Sequence, residues 1–206
     1  MKPALHYLFL RIQAALLLGA GNRAGAMPKF EQMLMLRAAD RYALASRGHL
    51  QAQLNNFEEA IASLQQLTRL AGSVQQEATA WFNLGYVLQQ AGRHDEAGPA
   101  FEQTLERDPC MDRAWYGLAL VLIHQGQFHE AVKALKKNTA LQPMSPYGWY
   151  RLGQVRLALG QPDKALKVIE HLRQFEPKVA AQLERETGLG RAADVACMTG
   201  AGDATD

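Results

Sequence analysis

The chain has 206 residues, of which 48% are hydrophobic and 20% are charged, and its formal net charge is +2. This composition is neither that of a membrane protein nor that of a disordered chain, and the near-zero charge provides no basic stripe for nucleic acid. The two cysteines, Cys110 and Cys197, form neither a metal-binding spacing nor a disulfide framework. We therefore expect no cofactor, no metal and no nucleic-acid partner, and a reducing compartment.

A fixed spacing of 34 residues organises most of the sequence. The three tryptophans, Trp81, Trp115 and Trp149, lie 34 residues apart. A glycine, an alanine and a proline follow each tryptophan at constant distances: Gly92, Gly126 and Gly160; Ala97, Ala131 and Ala165; Pro109, Pro143 and Pro177. A period of this length is typical of a helix–turn–helix unit, and such units bury their apolar faces only by stacking on one another.

The first predicted unit, residues 7–40, includes an ambiguous apolar stretch at residues 5–20. With the Ala-x-Ala pattern at residues 24–26, this stretch partly resembles a cleaved secretory signal, so a secreted or periplasmic form is one alternative. However, the stretch is interrupted by polar residues and is too short to span a bilayer. Its residues also keep the 34-residue register of the later units: Leu10, Ala14, Leu17, Gly21, Ala26 and Phe30. We therefore expect a buried helix here and a cytoplasmic protein.

The second predicted unit, residues 41–74, has a weaker apolar pattern. Leu44 stands where the later units have tryptophan, and Leu64 stands at the position of Phe101. Three additional residues, 75–77, separate this unit from the next one. We expect this insertion to alter the turn between the two units.

The next three units carry the strongest pattern. Their first helices place apolar residues at spacings of three and four, as in Trp81, Leu84 and Leu88, which lie on one helical stripe. A glycine such as Gly92 is expected to end the first helix because it tolerates the left-handed conformation. A proline such as Pro109 ends the second. These units are 78–111, 112–145 and 146–179.

Beyond the last unit, residues 178–189 predict one further helix with a charged outer face. Such a helix caps the final apolar surface of a stacked array. Residues 190–206 lack apolar periodicity and are expected to be a disordered tail. We therefore expect residues 1–189 to form a single array.

These residues resemble the tetratricopeptide repeat. The sequence W-F-N-L-G-Y at 81–86, followed by Ala97, Phe101 and Pro109, is similar to the consensus of that family, and the resemblance covers residues 7–179. It implies an all-α, right-handed superhelical solenoid of stacked antiparallel helix pairs, closed by the C-terminal capping helix. It also implies a concave groove lined by the first helices and a non-enzymatic role in holding peptides or partner proteins.

The family's groove positions select a set of candidate partner-binding residues. They are mainly tyrosines and arginines, which are over-represented where binding energy concentrates. Among them, Asn83 is suited to a ligand backbone, and Arg113 and Arg151 are suited to a carboxylate. The alternative is that the aromatic residues only pack on adjacent repeats. The candidates are Tyr42, His49, Phe82, Asn83, Tyr86, Arg113, Tyr116, Tyr147, Tyr150 and Arg151.

Two functions follow from this pattern. The first is an adaptor or chaperone-like protein that binds a protein or peptide ligand in an aromatic groove. The alternative is a structural subunit of a homo-oligomer, or of a larger complex such as a secretion or envelope machine. The apolar first unit favours the alternative, since it is more apolar than a terminal repeat requires. Catalytic motifs and direct membrane insertion are not expected.

Overall fold

The structure, a computed structural model, describes residues 3–189, and these residues contain eleven helices and no strand. The chain divides into two compact units, Met1–Pro109 and Cys110–Asp206. The first contains α1 (Pro3–Gly19), α2 (Arg23–Leu36), α3 (Arg41–Gln53), α4 (Phe57–Thr68), α5 (Val74–Gln90) and α6 (His94–Arg107). The second contains α7 (Asp112–His124), α8 (Phe128–Leu141), α9 (Pro146–Ala158), α10 (Pro162–Phe175) and α11 (Pro177–Thr187).

Consecutive helices pack in pairs, and the predicted all-α fold of stacked helix pairs is confirmed. In the first compact unit the pairs are α1 with α2, α3 with α4, and α5 with α6, and each pair packs on the next. In the second, α7 pairs with α8 and α9 with α10, and α11 packs on both α9 and α10 as a cap. A single array over residues 1–189 stays a prediction, and the tail predicted at 190–206 lies outside the described residues.

The turns inside the helix pairs repeat one backbone conformation. Gly92, Gly126 and Gly160 end the first helices of their pairs with φ of +75°, +72° and +66°. Gly21 does the same in the first pair with φ of +73°. These left-handed angles confirm the predicted role of glycine. In the second pair Asn55 takes this conformation, with φ of 62°.

The two weak N-terminal repeats have well-buried cores. Leu10, Phe30, Leu44 and Leu64 are each at most 2% exposed. At Gly48 a Cβ atom would lie 2.8 Å from Cγ of Leu64, so the small residue allows α3 and α4 to approach closely. The predicted first-unit helix is therefore present, and residues selected by the 34-residue spacing are buried in this part of the chain.

The tryptophans are less buried than expected. Their position on the apolar stripes of the first helices predicts core residues, but each is only partly buried, whereas Phe101 is 0% exposed. Trp149 shows the reason: its Nε1–H donates a hydrogen bond to the carbonyl of Pro143 at 2.8 Å. Tryptophan is large and has a polar edge, so it packs one face on the core and directs its N–H to the joint between repeats.

The inserted residues 75–77, which we expected to alter the turn between the two units, lie in a helix. They extend the N-terminus of α5, which Ser73 and Gln76 cap reciprocally, the backbone N–H of each residue donating to the side chain of the other. Glu77 also forms an ion pair with Arg107 at 3.2 Å. A capping box satisfies two backbone N–H groups at a helix start, so the insertion forms an additional helical turn.

Candidate functional site

Four of the candidate residues, Tyr42, His49, Asn83 and Tyr86, line a furrow between α3 and α5. Its larger part has a volume of about 390 Å³, and a smaller part of about 30 Å³ adjoins it through Ala45 and Asn83. We call these two parts together the α3–α5 furrow. The larger part is lined by Arg41, Tyr42, Ala45, Leu67, Gln75, Gln76, Thr79, Ala80 and Asn83, and the smaller by Ala45, His49, Leu64, Asn83, Tyr86 and Val87.

The additional turn of α5 forms part of the furrow wall, since Gln75 and Gln76 line its larger part. Arg41, the first residue of α3, ties this turn in place. Its guanidinium donates hydrogen bonds to the carbonyl oxygens of Leu70, Ala71 and Gln76. Arg41 is the only arginine, lysine, aspartate or glutamate in the lining, and its guanidinium is directed at backbone carbonyls.

Tyr42 of α3 and Asn83 of α5 both line the larger part of the furrow. The Tyr42 ring meets the edge of Phe30 at 5.9 Å between centroids, and the Arg11 guanidinium lies 4.6 Å from its centroid. These contacts hold the ring in place while 38% of the residue stays exposed. Within residues 3–189 the Asn83 amide has no hydrogen-bond partner, so its donors and acceptor are available to a ligand.

The smaller part of the furrow combines His49 with Tyr86. The His49 ring is hydrogen-bonded to Gln53 at 2.8 Å. The Tyr86 ring stacks on Phe82 at 6.3 Å between centroids, and Phe82 in turn packs on the buried Phe101 at 6.1 Å. Phe82 is thus a support between the core and the exposed tyrosine, and it does not line the furrow.

The candidates of the second compact unit have different surroundings. Arg113 and Tyr147 are exposed, whereas Tyr116 is partly buried against the core of α8, α9 and α10. Tyr150 and Arg151 belong to a hydrogen-bonded cluster with α11. The Tyr150 hydroxyl donates to the Glu186 carboxylate, the Gln154 amide donates to the same carboxylate at 3.2 Å, and Arg151 donates to Gln154 at 2.9 Å.

This cluster changes the acidity of two groups. The hydrogen bond to Glu186, followed by burial, raises the pKa of Tyr150, and the same hydrogen bond lowers the pKa of Glu186. Sequence reasoning selected Tyr150 but missed Glu186. The sequence signal that could have identified Glu186 was the polar outer side of the capping helix, where Gln182 and Glu186 lie one turn apart.

No group of three or more His, Cys, Asp or Glu side chains within residues 3–189 is placed to hold a metal ion. None of the helices in the same range is long and apolar enough to cross a membrane.

Stacked helix pairs that share one 34-residue pattern define the chain as a helical-repeat protein. Family models for the tetratricopeptide repeat match residues 45–109, 88–150 and 122–185. The chain belongs to the tetratricopeptide repeat family. The fold therefore provides a protein–protein interaction module, and proteins of this family are generally non-catalytic.

Several solved structures are similar to the chain along most of its length. MamA has 20% identity and a TM-score of 0.77, over 85% of this chain and 94% of that one. MamA 41-end from Desulfovibrio magneticus RS-1 has 20% identity and a TM-score of 0.75, over 88% and 96%. YrrB, described as a TPR protein with an unusual peptide-binding site, has 18% identity and a TM-score of 0.72, over 84% and 88%. Such identities show the fold alone. A comparison with curated proteins finds no match.

Proposed function

We propose that the protein is a non-enzymatic adaptor that binds an uncharged peptide segment of a partner protein in the α3–α5 furrow. One observation carries this proposal: Tyr42 of α3 and Asn83 of α5 line one cleft of about 390 Å³, whose single charged side chain, Arg41, donates to backbone carbonyl oxygens. A cleft of this size and shape accepts a few side chains of an extended or helical segment.

The chemistry of the furrow favours a neutral ligand. Arg41 is directed at carbonyl oxygens, and none of the other lining residues is an aspartate, glutamate or lysine. Tyr42 and Tyr86 offer apolar faces with a polar tip, and Asn83 is placed to pair with a peptide group of the ligand. The walls offer no carboxylate to a basic side chain, and both terminal nitrogens of Arg41 already donate to carbonyl oxygens, so burying a charged side chain in this partly desolvated cleft would be costly.

Two further elements of the proposal come from outside the furrow. The peptide-binding site described for YrrB is an analogy from a protein of similar fold. We keep the cytoplasm as the compartment, because the first repeat uses residues 7–40 as packed structure and the two cysteines show no disulfide framework.

The candidates of the second compact unit, led by the exposed Arg113 and Tyr147, are proposed as additional partner contacts.

Selection from a random dodecapeptide library, followed by fluorescence anisotropy of the selected peptides, tests the furrow. We expect peptides with few charges, and we expect Asn83→Ala and Tyr42→Ala each to weaken binding by roughly 10-fold or more, as for a residue at the centre of an interface. Met144→Ala is the control, because this 68% exposed side chain lies outside the furrow. Unchanged affinity in both furrow variants, with unchanged circular dichroism, would show that the furrow is not the binding site.

A role in assembly remains the second candidate function. Assembly would use a different surface, the exposed apolar side of α1, and would therefore not compete with ligand binding in the furrow.

A further inference from the structure

Helix α1 is apolar on two opposite sides. An α-helix turns by about 100° per residue, so Leu10 and Ala14 share one side and Leu5 and Ile12 share the other. Leu10 and Ala14 are at most 2% exposed and belong to the core of the first compact unit. We define the outer face of α1 by its exposed large residues: Leu5 (57% exposed), Leu8 (50%), Phe9 (51%), Ile12 (50%) and Leu16 (69%).

The outer face carries no charge. Arg11 is the only arginine, lysine, aspartate or glutamate in α1, and it lies at the margin of the face with its guanidinium 4.6 Å from the Tyr42 centroid. A contiguous apolar patch of this kind on a soluble domain marks a surface that another molecule covers. An interfacial membrane helix would instead be flanked by several lysines or arginines, which α1 lacks.

The spacing of the face is that of a helix–helix seam. Leu5, Phe9, Ile12 and Leu16 follow one another at intervals of four, three and four residues, which is the pattern of two helices that pack side by side. The pattern is also symmetric about its own midpoint. In an antiparallel pair of α1 helices, Leu5 lies opposite Leu16 of the second copy, and Phe9 lies opposite Ile12.

Helix α11 does not offer a complementary surface. Its exposed side chains include Lys178, Gln182, Arg185 and Glu186, so docking the outer face of α1 on them would bury charges without partners. A head-to-tail contact, between α1 of one copy and α11 of the next, is therefore disfavoured. The remaining arrangement is a contact between the outer faces of α1 in two copies. Closed two-fold pairing is also the commonest form of self-association.

We propose that the protein forms a two-fold symmetric homodimer through the outer faces of two antiparallel α1 helices. Helix α1 is about 25 Å long at 1.5 Å per residue, and a typical interface hides about 800 Å² per partner. The five outer-face residues form the apolar centre of such an interface, with neighbouring residues of α1 at its rim. The α3–α5 furrow lies outside this interface, so the dimer would present two furrows.

Sedimentation equilibrium tests the stoichiometry. We expect wild-type protein to reach twice the chain mass of 22.8 kDa. The double variant Phe9→Gln/Ile12→Gln should stay at the monomer mass with unchanged helicity. Met35→Gln/Met144→Gln is the matched control, because these methionines are 84% and 68% exposed and belong to α2 and to the α8–α9 turn, and it should remain dimeric. A wild-type monomer at all concentrations, or a dimer that survives Phe9→Gln/Ile12→Gln, would overturn the proposal.

Disulfide cross-linking tests the geometry in a chain that also carries Cys110→Ser and Cys197→Ser. A mixture of Leu5→Cys and Leu16→Cys chains should cross-link on oxidation, since the two thiols meet across the antiparallel seam. Each variant alone should not cross-link. Efficient linking of Leu5→Cys to itself would contradict the antiparallel arrangement. Binding of monomeric protein to liposomes, abolished by Phe9→Gln/Ile12→Gln, would assign the face to a lipid surface and overturn the dimer.

Discussion

The hydroxyl of Tyr150 on α9 donates a hydrogen bond to the carboxylate of Glu186 on the capping helix α11. A residue that the sequence assigns to a ligand-binding face is therefore already paired within the second compact unit. Gln154 donates to the same carboxylate, and Gln182 donates to both Tyr150 and Glu186. A ligand that uses the Tyr150 hydroxyl must displace α11 or share this network with it.

The Tyr150–Glu186 pair predicts a shift in tyrosine titration. The hydrogen bond favours the protonated phenol, and the negative charge opposes phenolate formation, so the pKa of Tyr150 lies above its ordinary value. Glu186→Gln removes the charge, and we expect the pKa of Tyr150 to fall toward that of a free tyrosine. The contribution of the pair to stability should be present between about pH 4.3 and about pH 10, the ordinary pKa values of glutamate and tyrosine. It should disappear as the pH rises through the raised pKa of Tyr150, and also as the pH falls through the lowered pKa of Glu186.

Phenolate absorbance measured during an alkaline titration reports this shift, with Tyr150→Phe identifying the signal of Tyr150 by difference. Titration of Tyr150 at the same pH in wild type and Glu186→Gln would refute the pairing in solution.

The close approach of α3 and α4 at Gly48 predicts a packing penalty. In Gly48→Ala the new methyl group would lie 2.8 Å from Cγ of Leu64, which is only 1% exposed and cannot move freely. Overpacking costs about 1–3 kcal/mol, and the better helix propensity of alanine offsets up to about 1 kcal/mol. We expect a net loss of about 1–2 kcal/mol of unfolding free energy, measured by urea denaturation.

Gly19→Ala is the control for this substitution, since no atom lies within 4 Å of the added Cβ. It should leave the stability unchanged or slightly raised. A stability loss of the same size in both variants would mean that helix contact at Gly48 is not the cause.

The left-handed turns predict two substitutions of opposite effect. Asn55 has φ of 62° at the position where other pairs have glycine, so Asn55→Gly should stabilise the protein by a few tenths of a kcal/mol. Gly92 has φ of +75°, and Gly92→Ala should destabilise it by about 1 kcal/mol. Thermal unfolding followed by circular dichroism measures both. The explanation fails if both variants shift the melting temperature in the same direction.

The repeat architecture was predictable from sequence because each unit depends on local spacing. Apolar residues at intervals of three and four define a helical stripe, and a glycine with left-handed angles ends the first helix. The register even identified the units without tryptophan, where Leu44 and Leu64 are fully packed. Periodic patterns are sufficient to predict the repeat architecture because neighbouring repeats bury the same positions of each unit.

The candidate site was predictable only in part, because its shape depends on contacts between repeats. Tyr42, His49, Asn83 and Tyr86 were selected from sequence, and the structure places all four on the α3–α5 furrow. The additional turn of α5 and its tie to Arg41 were not predicted, since a helix N-terminus and a turn have similar polar compositions. Phe82 was selected as a binding residue, but its ring supports Tyr86 from beneath.

By itself, the sequence determined the class of fold and most of the aliphatic residues that bury their side chains, since both follow from one-dimensional periodicity. Only the tertiary structure decided which polar groups are already paired and which remain available. Glu186 lies 36 residues after Tyr150, and Arg41 reaches carbonyl groups 29 to 35 residues away. Such pairings depend on where side chains of different helices end in space, and helical spacing alone does not encode that position.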